Sequence, residues 1–257
     1  MNTSIIEQVR EANPLIHNLT NEVVMNFTAN GLLAFGASPI MAKATEEAEE
    51  MASISNGVLI NIGTSTLTEL PAMKLAGKAA NKKDIPVVLD PVGIGATSFR
   101  KDVVKQLLQE VQFTVIKGNA GEMAKLVDMP WEVKGVESVG DGDGKEIAKK
   151  VANMYHTTAV VTGETDYICS NNETVIENRS GHVYLEKITG AGCLLGSIIA
   201  ACLTTDAKVE EQAFAAVQFY GLAAEYAAKQ EHVQGSGSFL PAFIDALSNE
   251  IDQLNTK

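Results

Sequence analysis

Pro86-Val87-Val88-Leu89-Asp90-Pro91-Val92-Gly93-Ile94-Gly95-Ala96-Thr97 begins as a short apolar run, turns at an acid and a proline, and leads into helical periodicity over Phe99 to Glu110. A run this apolar is a strand covered on both faces, and strands of that kind belong to parallel sheets with helical crossovers. The same unit recurs outward in both directions. The strand candidates are Leu15 to His17, Ser38 to Met41, Gly57 to Asn61, Pro86 to Leu89, Phe113 to Ile116 and Thr158 to Val161. Helical segments fall between and around them, over Thr20–Phe35, Thr45–Ile54, Thr66–Lys82, Phe99–Glu110, Asn119–Val127 and Lys145–His156. After Val161 the alternation changes: Asp166 to Ser170 and Thr174 to Glu177, bridged by Asn171-Asn172-Glu173, read as an antiparallel hairpin at the sheet edge. Helices near Gly192–Leu203, Val209–Gln230 and Phe239–Leu254 finish the chain. The fold class is therefore α/β with a mostly parallel central sheet, read as a single domain over 1–257.

Composition narrows the function. The 257 residues are 46% hydrophobic, enough for one large core, and the net charge is −12. With a pI of 4.8, nucleic-acid or anionic-membrane binding is not expected, since each needs a basic face. A phosphorylated ligand remains compatible, because Mg²⁺ and helix N-termini neutralise phosphate locally. The cysteines Cys169, Cys193 and Cys202 are odd in number and lack metal-ligand spacing, so free thiols in a cytoplasmic setting are expected. Met1 to Arg10 has neither the basic start nor the apolar core of a signal peptide. Gly140 to Gly144 is acid- and glycine-rich, but Lys145 and Ala152 occupy positions where a calcium loop needs oxygen ligands. It reads as a surface turn, with Asp143 and Glu146 as a capping box.

In an open parallel sheet, ligands gather beyond the carboxyl ends of the strands. Asp90 follows one such end; Lys117 and then Glu122 follow another, and Thr162-Gly163 a third. Asp90 reads either as a turn cap before Pro91 or as a metal-binding carboxylate, and Glu122 either as a first-turn acid or as its partner around a hydrated Mg²⁺. Lys117 is a poor core residue and a good phosphate partner. Thr162 reads either as an ordinary strand residue or as a hydroxyl donor to phosphate. Thr189-Gly190-Ala191-Gly192-Cys193, after the short extended stretch His182 to Leu185, opens the apolar helix Leu194–Leu203. Its two glycines permit a tight turn that points free amides at one spot, an anion hole at the positive end of a helix. Cys193 sits at the mouth, where its pKa is expected to be lowered; the alternative is a small apolar plug.

These residues together resemble the hydroxyethylthiazole kinase family of the ribokinase-like superfamily. The resemblance rests on Asn18-Leu19-Thr20-Asn21, Asn26-Phe27-Thr28-Ala29-Asn30 and Gly36-Ala37-Ser38-Pro39-Ile40-Met41. It continues through Asp90-Pro91-Val92-Gly93, Gly118-Asn119-Ala120-Gly121-Glu122 and Gly190-Ala191-Gly192-Cys193, and spans nearly the whole chain. It implies a three-layer α/β/α ribokinase-like fold. It also implies ATP-dependent phosphorylation of 4-methyl-5-(2-hydroxyethyl)thiazole in thiamine salvage, with Mg²⁺, in a homotrimer whose active sites lie between subunits. By motif position the resemblance puts Met41 and Gly190 at the thiazole, with Asn21 a further substrate contact. Lys117 and Thr162 fall at ATP, Asp90 and Glu122 at the metal and phosphates, and Cys193 at the reacting hydroxyl. Many superfamily relatives carry aspartate in place of Cys193, and arginine is frequent in place of Lys117. The competing readings are a hydroxymethylpyrimidine or pyridoxal-type alcohol kinase, a nucleotide-dependent NAD(P)H-hydrate dehydratase, and a sensor without turnover.

Overall fold

The computed structural model describes residues 3–130, 141–171 and 174–254. Gly140, the side chain of Asp143, and Asn172-Glu173 of the expected hairpin turn lie outside the described residues. The chain opens with α1 (Thr3–Ala12), then β1 (Leu15–Leu19), α2 (Met25–Phe35), β2 (Ser38–Ile40), α3 (Ala48–Ile54), β3 (Gly57–Asn61) and α4 (Leu70–Lys82). There follow β4 (Val87–Asp90), α5 (Ser98–Glu110), β5 (Val115–Asn119), α6 (Ala120–Leu126), α7 (Asp141–Tyr155) and β6 (Thr158–Thr162). β7 (Asp166–Ser170) and β8 (Ile176–Asn178) form the hairpin, and a 3₁₀ turn over Val183–Lys187 leads to α8 (Ala191–Cys202), α9 (Val209–Ala228), α10 (Ser236–Leu247) and α11 (Ile251–Leu254).

The strands form one eight-stranded sheet in the order β2-β1-β3-β4-β5-β6-β7-β8. β2 through β6 run parallel, and β7 and β8 are antiparallel to their neighbours, as the change of pattern after Val161 predicts. Side chains along each strand divide between two cores. Ile16, Leu59, Val88, Val115 and Val160 join α1, α2 and α8 to α11, whereas Val58, Ile60, Leu89, Ile116 and Val161 join α3 to α7. This period-two division makes three layers and explains why the strands read as continuous apolar runs.

Several elements differ from the sequence reading. α1 is an amphipathic helix that buries Ile5, Ile6 and Val9, and Arg10 anchors its end to the carbonyls of Phe35, Leu247 and Asn249. His182 to Leu185 is not extended: the His182 ring accepts from the Tyr184 amide and caps the 3₁₀ turn. Asp141 to Gly144 belongs to α7, not to a turn before it. The chain beyond Phe239 is also two helices, α10 and α11, with Ser248 capping the first. No helix among the described residues is long and apolar enough to cross a membrane.

Candidate active site

Because β2 to β6 are parallel, their carboxyl ends share one rim, and α8 begins at that rim. Asp90, the last residue of β4, is 1% exposed, and Lys117 of the adjacent β5 is 4% exposed. Their Oδ2 and Nζ are 3.2 Å apart, and the ammonium also donates to the Gly192 carbonyl at 2.9 Å. A Cβ on Gly192 would lie 3.2 Å from Nζ, so glycine is what lets the lysine reach the start of α8. Lys117, read from the sequence as a poor core residue, is thus a buried one, paired with Asp90 and wedged against the start of α8.

The rest of the cluster is a chain of amides. Asn61, ending β3 as Asp90 ends β4, accepts from the Gly63 amide at 2.9 Å through Oδ1 and donates to Asp90 Oδ2 at 2.7 Å. The Gly63 donor fixes which way the Asn61 amide faces. Asn21 Nδ2 donates to Asn61 Oδ1 at 3.1 Å and to Cys193 Sγ at 3.3 Å. One network therefore joins the turn after β1 to β3, β4, β5 and α8. Two oxygens at this rim, Asp90 Oδ1 and Thr20 Oγ1, are buried with no partner among the described residues. Such atoms are costly unless something else completes them.

Gly190 caps α8 at φ +91° without a side-chain acceptor, so the first-turn amides of Ala191, Gly192 and Cys193 have no intrahelical partner. That arrangement, next to the Lys117 ammonium, suits an anion.

Electrostatics revises one expectation. Burial first, and the Asp90 charge second, push the Cys193 thiol above its ordinary pKa, outweighing Lys117 and the amide hydrogen bonds. The helix N-terminus does not produce a resting thiolate. Burial raises Asp90 to about 6, against the lowering influence of Lys117. Lys117 shows the opposite balance: burial disfavours its charge, but Asp90 and the surrounding acids raise it overall.

The remaining predicted residues sit around this cluster. Glu122 forms a capping box with Asn119, accepting from its amide at 2.9 Å through Oε2, and Oε1 accepts from the Gly93 amide at 2.8 Å. Both oxygens thus already serve the backbone, including the loop that leaves Asp90. Thr162 is half-buried at the end of β6, beside Asn119 in register. Met41 lies apart, half-buried after edge strand β2, with no bond to the Asp90 cluster among the described residues. The ring of His17, fully buried, donates from Nε2 to the Ala42 carbonyl at 2.8 Å and so pins the backbone just past Met41. Sequence reading missed Asn61, and it gave His17, here a buried structural residue, no role in the chemistry. The signal for Asn61 was present, since it ends an apolar strand just as Asp90 does.

A model of the hydroxyethylthiazole kinase family matches residues 6–253. This chain belongs to the hydroxyethylthiazole kinase family. Hydroxyethylthiazole kinase 1 of Oceanobacillus iheyensis is 61% identical over 254 residues, covering 99% of this chain and 98% of that protein. The structure of a hydroxyethylthiazole kinase protein from Pyrococcus horikoshii OT3 is similar at a TM-score of 0.89 and 37% identity, over 99% and 96% of the two chains. A ribokinase-like superfamily protein from Enterococcus faecalis, 14% identical, has a TM-score of 0.66 over 96% of this chain and 94% of its own. It shares the ribokinase-like fold alone. Within that family the Asn18 to Asn21 block gains a physical meaning: Asn18 Oδ1 accepts from Ser197 of α8 at 2.7 Å, and Asn21 reaches Cys193. The residues that carried the resemblance wire β1 to the helix at the anion hole.

Proposed function

We infer that this chain transfers the γ-phosphoryl group of ATP to the hydroxyl of 4-methyl-5-(2-hydroxyethyl)thiazole, a reaction of thiamine salvage. The observation that carries this reading is the start of α8, with unpartnered amides, a buried lysine and a cysteine in one place, inside a chain of this family. The alcohol oxygen forms a bond to the γ-phosphorus while the bond to the β–γ bridging oxygen breaks, and ADP departs with that oxygen. Phosphoryl transfer of this kind has a loose transition state, so positioning and charge neutralisation outweigh early proton removal. The amides ahead of Leu194 and the Lys117 ammonium receive charge that builds on the moving group. Thr162 donates its hydroxyl to the nucleotide phosphates, and Met41 and Gly190 line the thiazole.

Cys193 enters as a thiol that orients the alcohol oxygen, and the proton leaves late to a phosphoryl oxygen. Cys193→Ala is expected to lower kcat by roughly ten- to a hundredfold, the scale of a misplaced reacting group, and to leave the thiazole KM within about twofold. Steady-state kinetics with varied thiazole alcohol checks this. An unchanged kcat removes Cys193 from the reaction, and a loss beyond about 10³-fold restores it as a base.

Mg²⁺ fits the residues present. Asp90 offers Oδ1, buried with no partner among the described residues, and Glu122, in the first turn of α6, holds the loop that leaves Asp90 through the Gly93 amide. Among the described residues no three acidic, histidine or cysteine side chains cluster as a metal cage, so water and phosphate oxygens would complete the shell. When bound, the ion would neutralise phosphate charge. Against burial, Lys117 and the Asn61 amide favour the ionised Asp90. Its value of about 6 predicts an acid limb near pH 6 in kcat/KM for ATP, with activity falling as pH drops and the carboxylate takes up a proton. Stability runs the other way for this group. A carboxyl that holds its proton more tightly when folded contributes most below its unfolded value of about 4, and the contribution fades as pH rises through about 6. A pH–rate profile that stays flat down to about pH 5 would remove Asp90 from this role.

The chain works in the cytoplasm as a homotrimer with thiazole sites between subunits. Exposed Val23 and Leu67, on the rim loops after Asn21 and Gly63, are apolar surface that a neighbouring copy would cover. A coupled assay for ADP formation tests the function as a whole. Turnover with the thiazole alcohol is expected to exceed that with hydroxymethylpyrimidine or pyridoxal, and the reverse order would replace the substrate assignment.

A further inference from the structure

Arg100 lies in the first turn of α5, where a cation opposes the helix dipole, so helix stability does not account for it. Thr97 caps that turn by accepting from the Arg100 amide at 3.3 Å. The guanidinium donates from Nη1 to the carbonyls of Ile62 at 3.0 Å and Val92 at 2.7 Å, and from Nη2 to the carbonyl of Gly63 at 2.6 Å. Its partners among the described residues are thus carbonyls of two chain segments that leave adjacent strands. One segment follows Asn61 at the end of β3; the other follows Asp90 at the end of β4.

The same two segments hold the acidic centre. The Gly63 amide fixes Asn61, Asn61 holds Asp90 Oδ2, and the Gly93 amide is held by Glu122. The Ile62 amide donates to the Asp90 carbonyl at 3.2 Å, so the two loops part just where Arg100 rejoins them. We propose that Arg100 is a positioning residue for phosphoryl transfer: its planar fork staples the β3 and β4 exits together, so that Asn61 holds one oxygen of Asp90 and the other stays turned toward the nucleotide. This rests on the role given to Asp90 above. A lysine cannot replace the fork, because an ammonium is a compact point charge whose donors do not span the carbonyls of Ile62, Val92 and Gly63 as two guanidinium nitrogens do.

The test uses the intact chain, with Arg100→Lys and Asp90→Asn measured side by side. Hydrogen exchange without ligands is followed for peptides covering 62–66, 92–95 and α8, together with steady-state kinetics. For Arg100→Lys the expected result is at least tenfold faster exchange in the first two segments, unchanged exchange in α8, and at least a tenfold lower kcat with thiazole KM within twofold. Uniformly faster exchange, with both KM values moving, makes Arg100 an ordinary structural residue and overturns the proposal. Faster local exchange with unchanged kcat overturns it as well. Asp90→Asn separates the two failures: unaltered turnover there strikes the role of Asp90, whereas loss there with none in Arg100→Lys strikes Arg100 alone. If Arg100→Lys does not fold, Arg100→Gln, whose planar amide reaches one carbonyl, is read by the same outcomes.

Discussion

Asp90→Asn is expected to lower kcat by about 10²–10³-fold, the scale of losing one preorganised charged group, and to raise the Mg²⁺ concentration needed for half-maximal rate. The substitution keeps the shape of the side chain and removes its charge. Lys117 then sits 4% exposed with the Gly192 carbonyl and no counter-ion at bonding distance. Removing one member of a buried pair costs about 3–5 kcal/mol, less whatever is regained when the orphaned lysine gives up its proton. Stability and activity can be separated. Lys117→Met in the same background removes the stranded charge, so thermal stability is expected to recover while turnover does not, because replacing both members of a buried pair is close to neutral. ADP formation as a function of Mg²⁺, with a melting curve for each variant, reads both effects. A wild-type Mg²⁺ dependence in Asp90→Asn would falsify the metal assignment.

That Asp90 and Lys117 form so deeply buried a pair could not be read from the chain in one dimension. The strands were legible because both faces are covered, which leaves Val87 to Leu89 or Val58 to Ile60 without a polar residue. The rim followed from parallel topology, and with it the positions of Asp90, Lys117, Thr162 and the start of α8. What the sequence hid was depth. Lys117 read as a poor core residue because lysines rarely go inside, yet Gly192 leaves the room that lets it enter beside Asp90. Depth also reversed the Cys193 expectation: a helix N-terminus lowers a thiol pKa, but burial next to a carboxylate outweighs it here. Local geometry accounts for other differences. The chain after Leu19 and Asn61 runs in turns that carry Asn21 and Gly63 to the cluster, so α2 and α4 start later than apolar periodicity suggested. α1 was legible from Ile5, Ile6 and Val9 on one face, but that stretch was weighed only as a targeting signal. Arg100 gave no signal at all. An arginine in a helical segment is ordinary, and its three carbonyl partners lie 8, 37 and 38 residues away.

Gly190→Ala is expected to cost about 2–4 kcal/mol of stability, the sum of a left-handed residue and an overpacked contact, and to cut turnover by at least about 10²-fold. Two independent constraints meet at this residue. Its φ of +91° lies where side chains are strained, and a Cβ there would stand 2.4 Å from Val24 Cγ1 and 2.8 Å from Val24 Cβ. Val24 is itself buried at the N-cap of α2, and α8 is buried along almost its whole length, so neither helix yields easily. The connection from Ile188 to Gly190 is expected to give way, and it sets the start of α8, whose first-turn amides would meet the phosphoryl group. Val24→Gly removes both clashing carbons at an N-cap position, where glycine is well tolerated. The double variant Gly190→Ala/Val24→Gly should therefore regain at least tenfold in turnover over Gly190→Ala, while the backbone strain of about 1–2 kcal/mol persists. Equal activity in the single and double variants would assign the whole effect to φ. Wild-type turnover in Gly190→Ala would show that the amides ahead of Leu194 do not hold the moving phosphate.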